Sequence, residues 1–263
     1  MMTAGISTAS LFLRVNTEDA AALLAEWDVG AVEVFLTSFS EYDRNFAKQV
    51  ASCLGAERAY SVHVLGTQFE PQLFSEHPRV RADAYVWLRR AMEAAKEIGA
   101  KHYSFHGPAR MKRTFREDFA RTGPCLCEVA SVCAEYGVAL SLENVEWAFY
   151  NRPGVFRRLQ AFCPRLSGVL DLKQARLSGF SYAEYLEEMG PALTHVHVSD
   201  VTEAGVMCLP GTGTFDFDDL LLRLRDVGFC GALLIENYRK DYTDFGALKA
   251  SYEFLAEKVA KYN

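Results

Sequence analysis

Short apolar segments that end in a histidine or an acidic residue recur along this chain, with helical segments between them. The clearest is the run 138–142, which ends in Glu143-Asn144. Five further runs end in the same way, at His63, His106, Asp171, His197 and Glu236. An apolar run of this length is typical of a buried parallel strand, and a polar residue at its end can form part of a site on a rigid support. This recurrence constrains the fold more than any single segment.

Strands and helices alternate from one end of the chain to the other. The patterns predict strands at 6–15, 32–36, 60–65, 101–106, 138–143, 166–171, 193–198 and 232–236. They predict helices after a cap at 16–18 and at 44–54, 79–98, 115–136, 154–162, 182–189, 217–227 and 245–261. Repeated strand–helix units without a linker indicate an α/β protein, a single-domain (β/α)8 TIM barrel over residues 1–263. The alternative, an open doubly wound sheet, is disfavoured because no Gly-x-Gly-x-x-Gly follows the first strand.

Charge and cysteine content restrict the function classes. The net charge of −6 disfavours a nucleic-acid or anionic membrane surface, since binding of phosphate groups depends mainly on lysine and arginine. Seven scattered cysteines without a Cys-x-x-Cys pair favour reduced thiols. The N-terminal sequence lacks the pattern of a signal peptide, and no apolar run reaches membrane-spanning length. We therefore expect a cytoplasmic protein with no nucleic-acid and no membrane partner.

The polar residues at the strand ends are expected to form one site. In a closed parallel barrel the carboxyl ends of all strands open onto one face. A lone histidine such as His63 is more often a core or surface residue, and Glu143 could cap a helix or pair with Arg152. Since several imidazoles and carboxylates converge at the same face, the set as a whole indicates a metal site.

Several short motifs carry a resemblance to a known family. They are Ser141-Leu142-Glu143-Asn144, Leu170-Asp171, Val196-His197-Val198-Ser199-Asp200 followed by Pro210-Gly211-Thr212-Gly213, and Ile235-Glu236. With these motifs the chain resembles the xylose isomerase-like barrel superfamily, which contains sugar phosphate isomerases and epimerases and endonuclease IV-type enzymes. The match extends over essentially the whole chain through its strand ends.

The resemblance implies a ligand set and an activity. It implies that one divalent metal ion is held by Glu143, Asp171, His197 and Glu236. Such an oxygen-rich set suits Mn²⁺, which we expect, or Mg²⁺ or Co²⁺, with Zn²⁺ as a further alternative. The implied enzyme is an isomerase or epimerase of a sugar, sugar phosphate or keto-polyol. It would transfer a proton through a metal-bound enediolate, with Glu143 and Glu236 as catalytic acid and base.

Three other functions stay open at this stage. A dehydratase (lyase) could act on a keto-polyol with the same site, and an endonuclease IV-like enzyme would hydrolyse a phosphodiester. The third alternative is a sugar-binding barrel without catalysis. Endonuclease IV-type enzymes hold a third zinc ion where this chain has Gln174, Gly205 and Met207, and none of these is a good ligand. His63 and His106, which match their first zinc site, are retained, so a second ion at these histidines also stays open.

The expected partner is a small sugar or polyol substrate, and a homo-oligomer is left open. The substrate-binding candidates are His63, His106, Gln174, Glu33, Trp147 and Lys173. Gln174 could bond to a substrate hydroxyl. Glu33, placed at the end of the second strand, could bind a hydroxyl or form a salt bridge, and Trp147 could stack on a sugar face. A phosphate or carboxylate could meet the basic residues that follow strands, which are Arg110, Lys112, Arg113, Lys173, Arg239 and Lys240.

Overall fold

Parallel strands close into an eight-stranded barrel within the residues that the computed structural model describes, namely 1–55, 57–66, 68–110 and 117–263. The strands of the barrel are β1 (Thr3–Ser7), β2 (Ala31–Leu36), β3 (Ala59–Val64), β4 (His102–Phe105), β5 (Ala139–Glu143), β6 (Ser167–Asp171), β7 (Leu193–Val198) and β10 (Ala232–Ile235). Each of these eight strands pairs in parallel with the next barrel strand, so that β7 pairs with β10, and β10 pairs with β1 to close the barrel. Two short antiparallel strands, β8 (Asp200–Val201) and β9 (Met207–Cys208), form a hairpin beside the barrel. The predicted (β/α)8 barrel is confirmed.

Helices surround the barrel and connect its strands. They are α1 (Thr17–Glu26), α2 (Arg44–Leu54), α3 (Pro78–Ile98), α4 (Phe119–Glu135), α5 (Val155–Gln160), α6 (Leu172–Leu177), α7 (Tyr182–Met189), α8 (Phe217–Asp226) and α9 (Phe245–Tyr262). Aspartates cap several of them, and the side chain of Asp216, for example, accepts a hydrogen bond from Asp219 N at the start of α8. Gly99 ends α3 in the left-handed region, where glycine is favoured. Among the described residues, none of these helices has both the length and the apolar character needed to span a membrane.

The main apolar core lies between the barrel and the helices. Leu24 of α1, Leu88 of α3 and Leu255 of α9 are fully buried in one cluster with Val34 and Leu142 of the barrel. Because side chains alternate along a strand, the residues next to these outward-facing strand positions point into the barrel. The interior positions include polar residues, and these lie below the candidate site.

The N-terminal strand differs from its prediction at 6–15. β1 ends at Ser7, and a 3₁₀ turn follows at Thr8–Leu11. The reason is that hydroxyl groups bond to the backbone there: Thr8 Oγ1 accepts from Phe35 N at 2.7 Å, and Ser10 Oγ donates to Ile235 O at 3.0 Å. Such bonds compete with continued strand pairing. The hairpin β8–β9 and helix α6 were also not predicted. The predicted start of the fourth helix at residue 115 lies outside the described residues.

The Gly-Thr-Gly motif shapes the loop after β7 and does not itself reach the metal ligands. The carboxylate of Asp200 accepts hydrogen bonds from the backbone N–H groups of Val201, Gly211, Gly213 and Phe215 at 2.7–3.1 Å. A Cβ at Gly213 would lie 2.4 Å from Asp200 Oδ1 and 2.5 Å from Val201 O, so no larger residue fits without movement. The motif therefore folds the chain around one buried carboxylate.

Candidate metal centre and active site

The four predicted metal ligands meet at the carboxyl end of the barrel. Glu143 ends β5, Asp171 ends β6, His197 lies in β7 and Glu236 directly follows β10. One ligand atom from each lies within 4.8 Å of the other three. The side chain of Glu236 is 9% exposed and those of the other three are 1–3% exposed. The barrel thus brings together residues that are up to 93 positions apart in the chain.

The imidazole of His197 stands among the three carboxylates. Its Nδ1 lies 2.7 Å from Glu236 Oε2, 3.3 Å from Glu143 Oε1 and 3.9 Å from Asp171 Oδ2. Burial would lower the pKa of His197, but the surrounding carboxylates, Glu33 first, raise it well above its usual value. A protonated His197 therefore balances part of the negative charge in this cluster, a role that a bound cation would take over, because an imidazole that ligates a metal is neutral.

The three carboxylates differ in proton affinity. Burial raises the pKa of Asp171 to about 7, although the charge of Lys173 opposes this shift. For Glu143 and Glu236 burial also favours the neutral acid, but the charges and hydrogen bonds of neighbouring groups, His197 first, together outweigh burial and lower the pKa of both. Glu143 and Glu236 are therefore carboxylates at neutral pH, the form in which they can ligate a cation or accept a proton.

The donor atoms fit a hard divalent cation. Glu143 Oε2 and Glu236 Oε2 are buried and accept no hydrogen bond of good geometry within the described part of the chain, although Glu236 Oε2 lies 2.7 Å from His197 Nδ1. Buried polar atoms without a partner are costly, and a cation ligated by these oxygens would remove that cost. The geometry of Asp171 is fixed from outside the cluster, since its Oδ1 accepts from Gln174 N at 2.6 Å and its N–H donates to Asn144 Oδ1 at 2.7 Å. Such supporting bonds are usual around metal ligands.

His63 and His106 approach Glu143 from its other side. Their Nε2 atoms lie 3.8 and 3.4 Å from Glu143 Oε2, respectively. His63 Nδ1 lies 2.8 Å from the carbonyl oxygen of Ser104, which can only accept, so this nitrogen donates and Nε2 is the ring nitrogen that faces the site. Ligand atoms of His63, His106 and Glu143 also lie within 4.8 Å of one another, a spacing that could hold a second ion.

Lys173 and Trp147 border the cluster. The Lys173 side chain is 5% exposed, and its Nζ lies 3.8 Å from Asp171 Oδ2 and 4.2 Å from the ring centroid of Tyr238. Burial would lower the pKa of Lys173, but the surrounding negative groups, Asp171 first and Glu236 next, together raise it above its usual value, so the side chain is an ammonium. The half-buried ring of Trp147 lies 5.2 Å from the ring of His106. Both side chains are therefore near enough to the carboxylates to contact a ligand bound there.

Gln174 and the basic residues that follow the strands lie in different surroundings. Gln174 Oε1 accepts from Glu146 N at 3.1 Å, which leaves its NH₂ group for a ligand. The guanidinium of Arg110 donates to the carbonyl oxygen of Glu146. Arg239 and Lys240 are exposed. Lys112 and Arg113 lie outside the described residues.

Glu33 occupies a different place from the predicted one. It is the third residue of β2 and fully buried, not the residue that ends the strand at the barrel mouth. Strand alternation turns it into the barrel one layer below the ligands, where its carboxylate accepts from the hydroxyls of Ser7, Ser61 and Ser104. His197 Nε2 lies 3.1 Å from Glu33 Oε1, so Glu33 lies beneath His197.

Glu70 is a site residue that the strand-end pattern missed. It lies in a 3₁₀ turn at Glu70–Phe74, in the loop between β3 and α3, and is fully buried. Its Oε1 accepts from Tyr103 Oη at 2.7 Å, and its Oε2 accepts from His106 N at 3.1 Å. The only signal in the sequence was the unusual length of this polar loop, which does not indicate which of its residues turns inward.

The sequence matches a known family over most of its length. Residues 21–258 match the family model described as xylose isomerase-like TIM barrel. An uncharacterized protein of Mycobacterium leprae is 26% identical over 258 residues, which cover 88% of this chain and 87% of that protein. The match includes β2 to β10 and therefore all four predicted metal ligands.

Solved structures with this fold include sugar epimerases. The IOLI protein, whose crystal structure holds a zinc atom, superposes with a TM-score of 0.81 at 16% identity over 100% of this chain and 99% of that one. D-Psicose 3-epimerase of Clostridium cellulolyticum H10, solved with D-tagatose, gives 0.78 at 16% identity, covering 99% of both chains. The 3-keto-D-glucoside 4-epimerase of E. coli gives 0.74 at 17% identity over 99% of this chain and 100% of that one. At these identities the likeness establishes the fold.

Proposed function

The chain belongs to the xylose isomerase-like TIM barrel family, as its motifs indicated, and from this premise we propose that it is a metal-dependent isomerase or epimerase. The proposed substrate is a sugar, sugar phosphate or keto-polyol. The observation that carries the proposal is the buried cluster of three carboxylates and one imidazole, in which two glutamate oxygens accept no hydrogen bond of good geometry from the described residues. The activities named for two of the solved structures support the same class of reaction.

We propose that Glu143, Asp171, His197 and Glu236 hold the metal ion, and that the ion is Mn²⁺, with Mg²⁺, Co²⁺ and Zn²⁺ as alternatives. When bound, the ion would polarise the carbonyl and the adjacent hydroxyl of the substrate and so acidify the C–H bond between them. Asp171 is held by Asn144 and Gln174 and serves as a ligand only. Glu143 and Glu236 come from β5 and from the end of β10, so they can approach a substrate from different sides.

Proton transfer is assigned to these two glutamates. One takes the proton from carbon, the C–H electron pair moves into the enediolate of the substrate, and the glutamate becomes neutral. The other glutamate supplies a proton to the opposite face, which inverts the configuration at that carbon. Both glutamates contact His197, but only Glu143 also approaches His106 and His63, through its Oε2. The two acids therefore have different neighbours, as division into acid and base requires.

Substrate binding is assigned to residues around the cluster. The ammonium of Lys173 donates no hydrogen bond within the described part of the chain, so a substrate oxygen or phosphate is its proposed partner. The NH₂ group of Gln174 can donate to a hydroxyl, and Trp147 can cover a sugar face. His63 and His106 border the same space through their Nε2 atoms.

Exchange of substrate hydrogen with solvent tests the proposal. In deuterium oxide, the metal-loaded protein is expected to introduce deuterium at the carbon next to the carbonyl of a true substrate, because the abstracted proton equilibrates with water on the carboxylates. Keto-sugars, inososes (keto-inositols) and their phosphates form the screening set, and mass spectrometry measures the label. The chelator-treated protein is the control and should not exchange. Exchange accompanied by loss of water would identify a dehydratase instead. If the protein converted a compound without introducing deuterium into it, proton transfer through the glutamates would be contradicted.

A duplex with an abasic site tests the phosphodiester alternative. We expect the DNA to stay uncut, because Gln174, Gly205 and Met207 cannot hold a third zinc ion. Gly205 and Met207 belong to the β8–β9 hairpin, which offers no imidazole or carboxylate at these two positions. Gel electrophoresis after incubation with Mn²⁺ or Zn²⁺ measures nicking. Cleavage by the wild type that disappears in His197→Ala, prepared in the same way, would overturn the sugar assignment.

A further inference from the structure

A buried carboxylate connects the long loop after β3 to the candidate site. Glu70 is fully buried although it lies in a loop, and its two oxygens have different partners. Oε1 accepts from the hydroxyl of Tyr103, and Oε2 accepts from the backbone N–H of His106. Oε2 also lies 3.5 Å from His106 Nδ1, which has no hydrogen bond of its own within the described residues. Glu70 Oε2 is thus an acceptor within 3.5 Å of that nitrogen.

The other ring nitrogen of His106 faces the site. His106 Nε2 lies 3.4 Å from Glu143 Oε2, the oxygen that accepts no hydrogen bond within the described part of the chain. The ring therefore lies between two carboxylates, with Glu70 at Nδ1 and the proposed acid or base Glu143 at Nε2. Rotation of the ring about its Cβ–Cγ bond would exchange both contacts.

Gly66 leaves room for this arrangement. A Cβ at position 66 would lie 2.0 Å from His106 Nδ1 and 2.8 Å from Glu70 Oε2. The absence of a side chain at this loop position thus allows both the imidazole and the carboxylate to take their places. The backbone of Gly66 thus packs directly against the Nδ1 side of the His106 ring.

From these contacts we infer that Glu70 is a positioning residue, which holds the imidazole of His106 by Nδ1 and thereby directs Nε2 at Glu143. Glu70 contacts no atom of the metal cluster and acts through His106 alone. The kinetic consequence rests on the proposed function, because it requires Glu143 to transfer protons. The orientation of the ring does not, so the two can fail separately.

The first test measures the ring in the metal-free protein. In ¹⁵N-labelled wild type we expect a low-field Nδ1–H proton signal from His106, protected from exchange by Glu70 and Gly66, and assigned by its loss in His106→Gln. Glu70→Gln and Gly66→Ala should each remove the protected signal, because one removes the charged acceptor and the other displaces the ring. Glu76→Gln is the matched control, since Glu76 is in the same loop and 82% exposed. A protected signal that persists in Glu70→Gln would overturn the inference.

The second test asks whether Glu70 acts through His106. On a substrate found by hydrogen exchange, Glu70→Gln is expected to lower kcat by about tenfold or more, the usual effect of losing a supporting contact, with a smaller change in KM. In the His106→Gln background the same substitution should cost less than about twofold, because its target is gone. Thermal unfolding verifies that each variant folds. Losses that multiply in the double variant would assign Glu70 a general role in loop stability and contradict the inference.

Discussion

Glu143→Gln and Glu236→Gln are each expected to lower turnover by at least about a hundredfold, the usual scale of general acid–base catalysis. Glutamine keeps the length of the side chain and an oxygen that can ligate a cation, but it cannot take up or return a proton at neutral pH. Each variant should therefore retain substantial metal. Steady-state kinetics on a substrate identified by hydrogen exchange, with metal content measured on the same samples, gives the result.

Glu146→Gln is the matched control for these variants. Glu146 lies three residues beyond Glu143, but its side chain is 49% exposed and faces Arg110 rather than the cluster. Loss of this charge near the site should leave turnover within about twofold, as is usual for an exposed ion pair. If both cluster variants turned over normally while still metallated, transfer by two carboxylates would be wrong. A hydride shift or a role in binding alone would then replace it.

The convergence of these side chains was accessible to prediction because strand ends are a simple geometric feature. Glu143 and Asp171 are the last residues of their strands, and Glu236 follows its strand directly. In any closed parallel barrel the side chains at these positions lie at one mouth, whatever the precise register. The strand ends therefore predicted that these side chains meet, together with His63 and His106, whereas the choice of four of them as metal ligands came from the family resemblance.

Glu33 and Glu70 could not be placed in this way. The position of Glu33 depends on the strand register, because one step along β2 exchanges the barrel interior for the helix-facing side. The position of Glu70 depends on how a long loop folds back on β4, and its hydrogen bonds to Tyr103 and His106 follow from tertiary packing. Local sequence patterns contain neither kind of information. The same limit explains β1, where Thr8 and Ser10 bond to strands that are distant in sequence.

The loop after β7 shows a third case, in which the motif was identified and its role was not. Pro210-Gly211-Thr212-Gly213 contributed to the family resemblance, but its backbone N–H groups bind Asp200. Asp200 is three residues beyond His197, so the loop is anchored close to a proposed ligand without contributing one. A short motif can therefore identify a family through a structural requirement, here the clearance at Gly213, rather than through the chemistry of the site.

Removal of a single proposed ligand is expected to abolish tight metal binding. Protein purified without chelator should contain about one divalent ion per chain, and Asp171→Ala or His197→Ala should contain almost none. Each substitution removes one of four donors that lie within 4.8 Å of one another, and the remaining carboxylates lose the geometry that a buried cation requires. Elemental analysis gives the ratio, and Glu76→Gln is the control, because the Glu76 side chain is 82% exposed and pairs with Arg121 instead of the cluster.

Thermal unfolding during metal titration provides an independent measure, because an ion that binds only the folded chain adds about 2.7 kcal/mol of stability at a concentration of one hundred times its Kd. We expect this stabilisation in the wild type and its loss in both alanine variants. Metal-free wild type that is not stabilised by Mn²⁺, Mg²⁺, Co²⁺ or Zn²⁺ would contradict the proposed site. A ratio near two that falls to one in His106→Ala would instead place a second ion at His63, His106 and Glu143, whose ligand atoms also lie within 4.8 Å of one another. Glu143 would then be shared by both ions, and the role of proton acceptor would pass to Glu236.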